Sequence, residues 1–161
     1  MNLRVVVAVS GGIAAYKVPL LIRMLKKAGC EVKVVVTKNA LEFVTIPTLQ
    51  TISQNPVYSD MFSEMNSQFT QHISLADWAD VYIVAPATAN VIGKYANGIA
   101  DDCLTTTLLA FDKTIFFAPA MNTNMFENPI VQDNLKTLER YGYEVIQPAV
   151  GLLACKDVGK G

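Results

Sequence analysis

The chain has 161 residues, 13 of them Lys or Arg and 14 Asp or Glu, for a formal charge of −1, a length that suits one domain around a single core. This even balance leaves no basic stripe to neutralise a phosphate backbone, which excludes nucleic acid as the expected partner. Although hydrophobic residues make up 52% of the chain, no apolar run approaches the roughly 20 residues of a membrane span, and no basic head, apolar stretch and cleavage site open it, so a cytoplasmic location is expected.

The first element is a valine-rich strand, Leu3 to Val9, followed by the turn Ser10-Gly11-Gly12. A helical stretch from Ile13 to Ala28 comes next, with Ala14, Val18, Leu21 and Leu25 on one face. Lys26 and Lys27 stand near its end and Gly29 is placed to cap it, as expected for a helix C-terminus. Pro19 should kink this helix or limit its first turns. Glu31 to Val36 is the second strand, and Val81 to Ala85, Thr114 to Ala118 and Tyr143 to Ile146 follow, most of them separated by helical segments. No repeat, low-complexity tract or Pro/Gly/Ser linker interrupts the order, so residues 1–161 read as one domain. Strands alternating with helices predict an α/β fold: three α/β/α layers, Rossmann or flavodoxin-like, with a mostly parallel sheet. Ligands of such sheets bind beyond the carboxyl ends of the strands, near the point where strand order reverses. Function is therefore sought in the loops that follow strands.

In the first loop, Gly11 and Gly12 before Ile13 let backbone N–H groups approach an anion at a helix start, although a tight turn alone would also want glycine. A dinucleotide fingerprint is excluded, because G-x-G-x-x-G is missing and the second strand ends at Thr37 where an acid is needed. The triphosphate loop is excluded as well, since Lys17 is followed by Val18 rather than Ser or Thr. The Thr37 hydroxyl suits a second donor to a phosphate, so a mononucleotide with one terminal phosphate fits. After the next informative strand, Thr88, Ala89, Asn90 and Val91 could lie against a planar ring, while Thr88 is equally a helix N-cap. After Thr114 to Ala118, the run from Pro119 includes Ala120, Met121, Asn122 and Met125. An Asn amide there can donate to a carboxylate, although turn and cap roles are commoner. Three cysteines without C-x-x-C spacing and one imidazole, His72, support neither a disulfide framework nor a metal site. Cys30 and Cys103 read as small hydrophobes, whereas Cys155 falls in a glycine-bearing loop.

Together these segments resemble the homo-oligomeric flavin-containing cysteine decarboxylases. The resemblance is carried by SGGIAAYK at Ser10 to Lys17, HISLADWAD at His72 to Asp80, the run Pro86 to Asp102, the P-x-M-N-x-x-M segment Pro119 to Met125, and Leu153-Ala154-Cys155. It implies FMN as cofactor and the conversion of 4'-phosphopantothenoylcysteine to 4'-phosphopantetheine and carbon dioxide. Direct loss of carbon dioxide would leave a carbanion with nowhere to delocalise. Transient oxidation of the thiol-bearing carbon to a thioaldehyde creates the electron sink, and the resulting enethiolate is then reduced. By position, the resemblance implies that His72 moves a proton in the oxidative half, that Asn122, with Met125 beside it, holds the substrate carboxylate, and that Cys155 donates the final proton. It implies FMN contacts at Gly11, Gly12, Ile13, Thr37, Thr88, Ala89, Asn90, Val91 and Ala120, with phosphate near the first turn and Thr37. Trimers or dodecamers are implied too.

Two departures stand out. Lys156 follows Cys155 where the family has Gly, and a cation there favours thiolate over the thiol a proton donor needs. Alternatively, Lys156 or Lys160 meets the substrate phosphate. Phe126 stands where the family often has Trp. The family usually continues past the cysteine flap, in many bacteria into a ligase domain. Three other readings share much of this pattern: a decarboxylase of C-terminal peptide cysteines, a flavin-binding regulatory protein, and a flavin prenyltransferase, which the P-x-M-N and cysteine segments do not suit.

Overall fold

The computed structural model describes residues 2–59, 71–152 and 158–160, with the side chains of residues 71–73, 150–152 and 158–160 outside the description. Six strands form one parallel sheet: β1 (Arg4–Val9), β2 (Glu31–Val36), β3 (Val57–Tyr58), β4 (Val81–Ala87), β5 (Thr114–Pro119) and β6 (Glu144–Val145). Their spatial order is β3-β2-β1-β4-β5-β6, so the order reverses between β1 and β4. Strand β1 runs in register with both neighbours, Val7 facing Val34 on one side and Ile83 on the other. Because side chains alternate across a strand, Val5, Val7 and Val9 enter one buried cluster while Val6 and Ala8 enter another. Strands buried on both faces need continuous apolar runs rather than alternation, which is why the valine-rich stretches were legible.

One face is covered by α1 (Val18–Lys27) and α2 (Ile46–Ser53), through Val18, Ile22 and Leu49. The other is covered by α3 (Gln71–Trp78), α4 (Ala89–Ala96), α5 (Cys103–Leu109), α6 (Thr123–Glu127) and α7 (Pro129–Arg140), through Leu75, Ile92, Leu104, Phe126 and Leu138. This is the expected three-layer α/β/α arrangement. Among the described residues, no helix is long and apolar enough to cross a membrane.

The helix expected over residues 13–28 is two pieces, a 3-10 turn at Ile13–Lys17 and α1 from Val18. Pro19 sits in the first turn of α1, where its missing N–H costs nothing, while a longer α-helix would drive its ring into the Ala15 carbonyl. The i to i+3 spacing of the 3-10 turn buries Ala15 in place of Ala14, and Leu21 and Leu25 border the face that Val18 and Ile22 centre. Gly29, at φ +90°, ends α1. Its N–H donates to the Lys26 carbonyl and that of Cys30 to Leu25, both at 3.0 Å, the paired closure of a Schellman motif. Strand β3 was not anticipated, two residues being too few for any periodicity to show. A separate antiparallel pair, β7 (Val150–Leu152) and β8 (Val158–Lys160), was also missed. Cys103 is buried in α5 and Cys30 is half-buried before β2, as expected of small hydrophobes.

Candidate functional site

Beyond the carboxyl ends of β1, β2, β4 and β5, four loops enclose a cleft of about 1120 Å³, somewhat above the usual range of ligand pockets. It opens where the strand order reverses. Gly11, Gly12, Ile13, Thr37, Thr88, Ala89, Asn90, Val91, Ala120, Asn122 and Met125 all line it. The structure therefore brings together every expected cofactor position and both expected substrate-holding residues.

The first wall depends on glycine. A Cβ at Gly11 would stand 2.5 Å from the Asn39 Cβ and 2.9 Å from the Asn39 carbonyl carbon, so the turn after β1 lies directly on the turn after β2. At Gly12 it would meet Thr88 Cγ2 at 3.3 Å, so the same turn also lies against the loop after β4. The Gly12 N–H is used by the Ser10 carbonyl at 3.1 Å. As at any helix start, the N–H groups of Ile13 and Ala14 have no acceptor within the 3-10 turn, and both residues face the cleft. Thr37 Oγ1 accepts the Ala40 N–H at 3.1 Å, which leaves its O–H free to donate. Lys17 and Lys38 line this end of the cleft and form no ion pair among the described residues. Helix-start N–H groups, a hydroxyl donor and two cations make this end suited to an anion.

The second wall is the start of α4. Thr88 Oγ1 accepts the Val91 N–H at 3.2 Å, so Thr88 is the N-cap its residue type allowed, and it lines the cleft as well. The Thr88 N–H donates to Ser10 Oγ at 3.1 Å, and the Ser10 hydroxyl donates to the Pro86 carbonyl. Lys94, further along this wall, pairs with Asp101 at 3.0 Å.

The third wall is the turn after β5, tied to β4 by the Ala120 N–H donating to the Ala87 carbonyl at 3.1 Å. Asn122 caps α6, its Oδ1 accepting the Met125 N–H at 2.8 Å. That bond fixes which way the amide faces. Among the described residues Nδ2 donates to nothing, and Asn122 is exposed in the cleft. Phe126 is buried in the core below this turn, a place an aromatic ring suits whether it is Phe or Trp.

His72 lies in the helical backbone of α3 with its side chain outside the described residues, and Cys155, with Lys156, lies outside them altogether. The side chain of Lys160, in β8, is outside them too. Ser10, Lys38, Asn39, Pro86 and Met121 line the cleft without having been singled out. Gly11 allowed a close approach of some neighbour, but that the neighbour is Asn39, 28 residues on, shows only in the structure. Ser10 gave no signal, because a serine at a strand end is ordinary.

The sequence matches the flavoprotein family across residues 1–161. It is 53% identical over 160 residues to the coenzyme A biosynthesis bifunctional protein CoaBC of Bacillus subtilis, covering 99% of this chain and 39% of that protein. The chain thus spans about two fifths of that relative's length. Among solved structures, it is similar to a PPC decarboxylase mutant complexed with pantothenoylaminoethenethiol, with a TM-score of 0.88 and 37% identity over 100% of this chain and 90% of that one. It is also similar to the FMN-dependent cysteine decarboxylase SpaF, with a TM-score of 0.86 and 31% identity over 98% of this chain and 90% of that one.

Proposed function

The chain belongs to the flavoprotein family, and from that premise we propose that it binds FMN and decarboxylates 4'-phosphopantothenoylcysteine to 4'-phosphopantetheine. The observation that carries this reading is one cleft that joins an anion-binding turn to a fixed carboxamide, Asn122, whose Nδ2 has no acceptor among the described residues. The fit to a mononucleotide is geometric. Gly11 and Gly12 admit no Cβ without displacing Asn39 or crowding Thr88, so three loops converge on a cradle with donors at one end for a single phosphate. A dinucleotide's second half has no matching acid after β2, where Thr37 stands. The wall from Thr88 to Val91, with Ala120 tied beside it through the Ala87 carbonyl, supplies the small side chains that let a planar ring lie close.

When bound, the flavin supplies a two-electron acceptor that oxidises the thiol-bearing carbon of the substrate and later returns the electrons. The chain's own residues do the rest. Asn122 Nδ2 donates to the substrate carboxylate and holds it until it departs, with Met125 packing beside it. His72 moves the proton of the oxidative half, and Cys155 returns one to the enethiolate carbon. The small phosphorylated thiol is favoured over a peptide because identity is greater to the coenzyme A relative, 53%, than to the peptidyl-cysteine decarboxylase EpiD, 28%.

The same reading includes a cytoplasmic homo-oligomer, a trimer or dodecamer. In its support, Ile13, Tyr16, Leu20 and Met24 form an exposed apolar ridge, each more than half exposed. Such a ridge on a single chain marks a contact surface, and Ile13 and Tyr16 bring it to the edge of the cleft.

The test is carbon dioxide release by the flavin-loaded protein from 4'-phosphopantothenoylcysteine, with a peptide ending in cysteine as comparison. Release from the small substrate is expected. FMN binding with release only from the peptide would reassign the substrate, and release from neither would leave a flavin-binding protein that is not this decarboxylase.

A further inference from the structure

Ser10 is a polar residue at 2% exposure, placed one position past the end of β1 and in the floor of the cleft. Strands β1 and β4 pair in parallel only as far as Ala8 and Val84. Beyond that pair the two chains separate into their loops, and the ladder no longer ties them. Ser10 takes over there, with its hydroxyl donating to the Pro86 carbonyl and accepting the Thr88 N–H at 3.1 Å. One side chain so satisfies a donor and an acceptor on a loop more than 70 residues away in sequence.

What it ties matters more than how tightly. Its own carbonyl accepts the Gly12 N–H at 3.1 Å, which shapes the turn where the anion-binding groups stand. Thr88, which it holds, caps α4 and sits against Gly12. The two segments therefore meet through Ser10, one at the phosphate end of the cleft and the other along the wall assigned to the ring. Because its single proton goes to the Pro86 carbonyl, the Ser10 hydroxyl has none left to donate to a phosphate.

Resting on the flavin reading above, we propose that Ser10 is a positioning residue that sets the spacing between the phosphate turn and the ring wall, and so matters most for a ligand that spans both. Riboflavin, which lacks the phosphate, uses the ring wall alone and can follow it if it shifts. FMN cannot follow, because its two ends are joined. A side chain needed only for packing would weaken both ligands to the same degree.

The experiment titrates flavin-free protein with FMN and with riboflavin, following flavin fluorescence, for the wild type and Ser10→Ala. Ser10→Ala is expected to weaken FMN by about tenfold or more, the loss of roughly one net hydrogen bond, and riboflavin by less than about threefold. Equal losses for the two ligands, or FMN affinity within about twofold of wild type, would overturn the proposal. Should Ser10→Ala fail to fold, the same split is read on Ser10→Cys, which keeps the volume and weakens both bonds. Failure of both variants to fold would make Ser10 a folding residue and also overturn it. A wild-type protein that binds no FMN would instead sink the flavin reading itself.

Discussion

Replacing Gly11 with alanine puts the geometry of the phosphate end to a direct test. The added Cβ would lie 2.5 Å from the Asn39 Cβ, 2.9 Å from the Asn39 carbonyl carbon and 3.2 Å from the Ala40 nitrogen. Carbon atoms rest at about 3.5 to 4.0 Å, so one turn must retreat from the other by roughly 1 Å. Two of the three obstructing atoms are backbone, which leaves no flexible side chain to swing aside. Overpacking of this kind costs about 1 to 3 kcal/mol, and at this chain length each kcal/mol lowers Tm by about 2 to 4 °C. The retreat also separates Thr37 and the turn after it from the N–H groups of Ile13 and Ala14. Hydrogen bonds to a charged group are worth roughly 1.5 to 3 kcal/mol each, so losing one should weaken FMN by at least about tenfold. The assay pairs a thermal melt of the flavin-free protein with a fluorescence titration of FMN. Gly29→Ala is the control, since its φ of +90° makes alanine strained but nothing lies within 4 Å of the added Cβ. It should lower Tm and leave FMN affinity unchanged. Wild-type FMN affinity in Gly11→Ala would show that the two turns do not share one ligand, and the phosphate assignment would fall.

Asn122→Asp keeps an oxygen to cap α6 but exchanges the amide donor for a charge that repels a carboxylate. Tm should hold while carbon dioxide release falls by about 100-fold or more, as for loss of a group that engages the reacting centre. Asn122→Ala should lose activity and also about 1 kcal/mol of stability, because the cap goes with it. His72→Asn is expected to reduce turnover by about 10² to 10⁴, measured on protein shown by absorbance to carry its full flavin. Cys155→Ser should instead release carbon dioxide and stop at the oxidised enethiol product, which mass spectrometry would detect; complete turnover by this variant would remove Cys155 from the final proton transfer.

The parts of the fold that could be read from sequence were those in which burial leaves a pattern. Val5 to Val9 and Val34 to Val36 sit in strands buried on both faces, so their side chains had to be apolar without interruption. Strand β3, with two residues, and the pair β7 and β8, with three each, are specified by neighbours rather than by period, and nothing local distinguishes them from loop. Pro19 announced a disturbance of the first helix but not its outcome. Choosing between a kink and a late start depends on whether Ala15 or Ala14 packs on the sheet, which is a tertiary matter. At the site, residues with a distinctive type in a recurring segment were found, whereas Ser10 and Asn39 were not. Their importance lies in what they touch across gaps of 28 residues or more, and sequence distance hides that.

At Thr88 and Asn122 the sequence offered two readings, a helix cap or a ligand contact, as though one excluded the other. The geometry shows why that opposition is false for residues at the carboxyl ends of strands in such a sheet. Each of these side chains has more than one polar atom or lone pair, and the cap consumes only part of it. Asn122 spends Oδ1 on the Met125 N–H and keeps Nδ2. Thr88 spends one acceptor position on the Val91 N–H and keeps its O–H, as Thr37 does while accepting from Ala40. Because the cap fixes the torsion, the remaining group is aimed without further entropy loss when a ligand arrives, which is what preorganisation requires. Capping is thus how the fold aims these groups. The consequence is separable: substitutions that preserve the capping atom and change the other, such as Asn122→Asp, should touch function alone, whereas those that remove the capping atom should damage function and stability together.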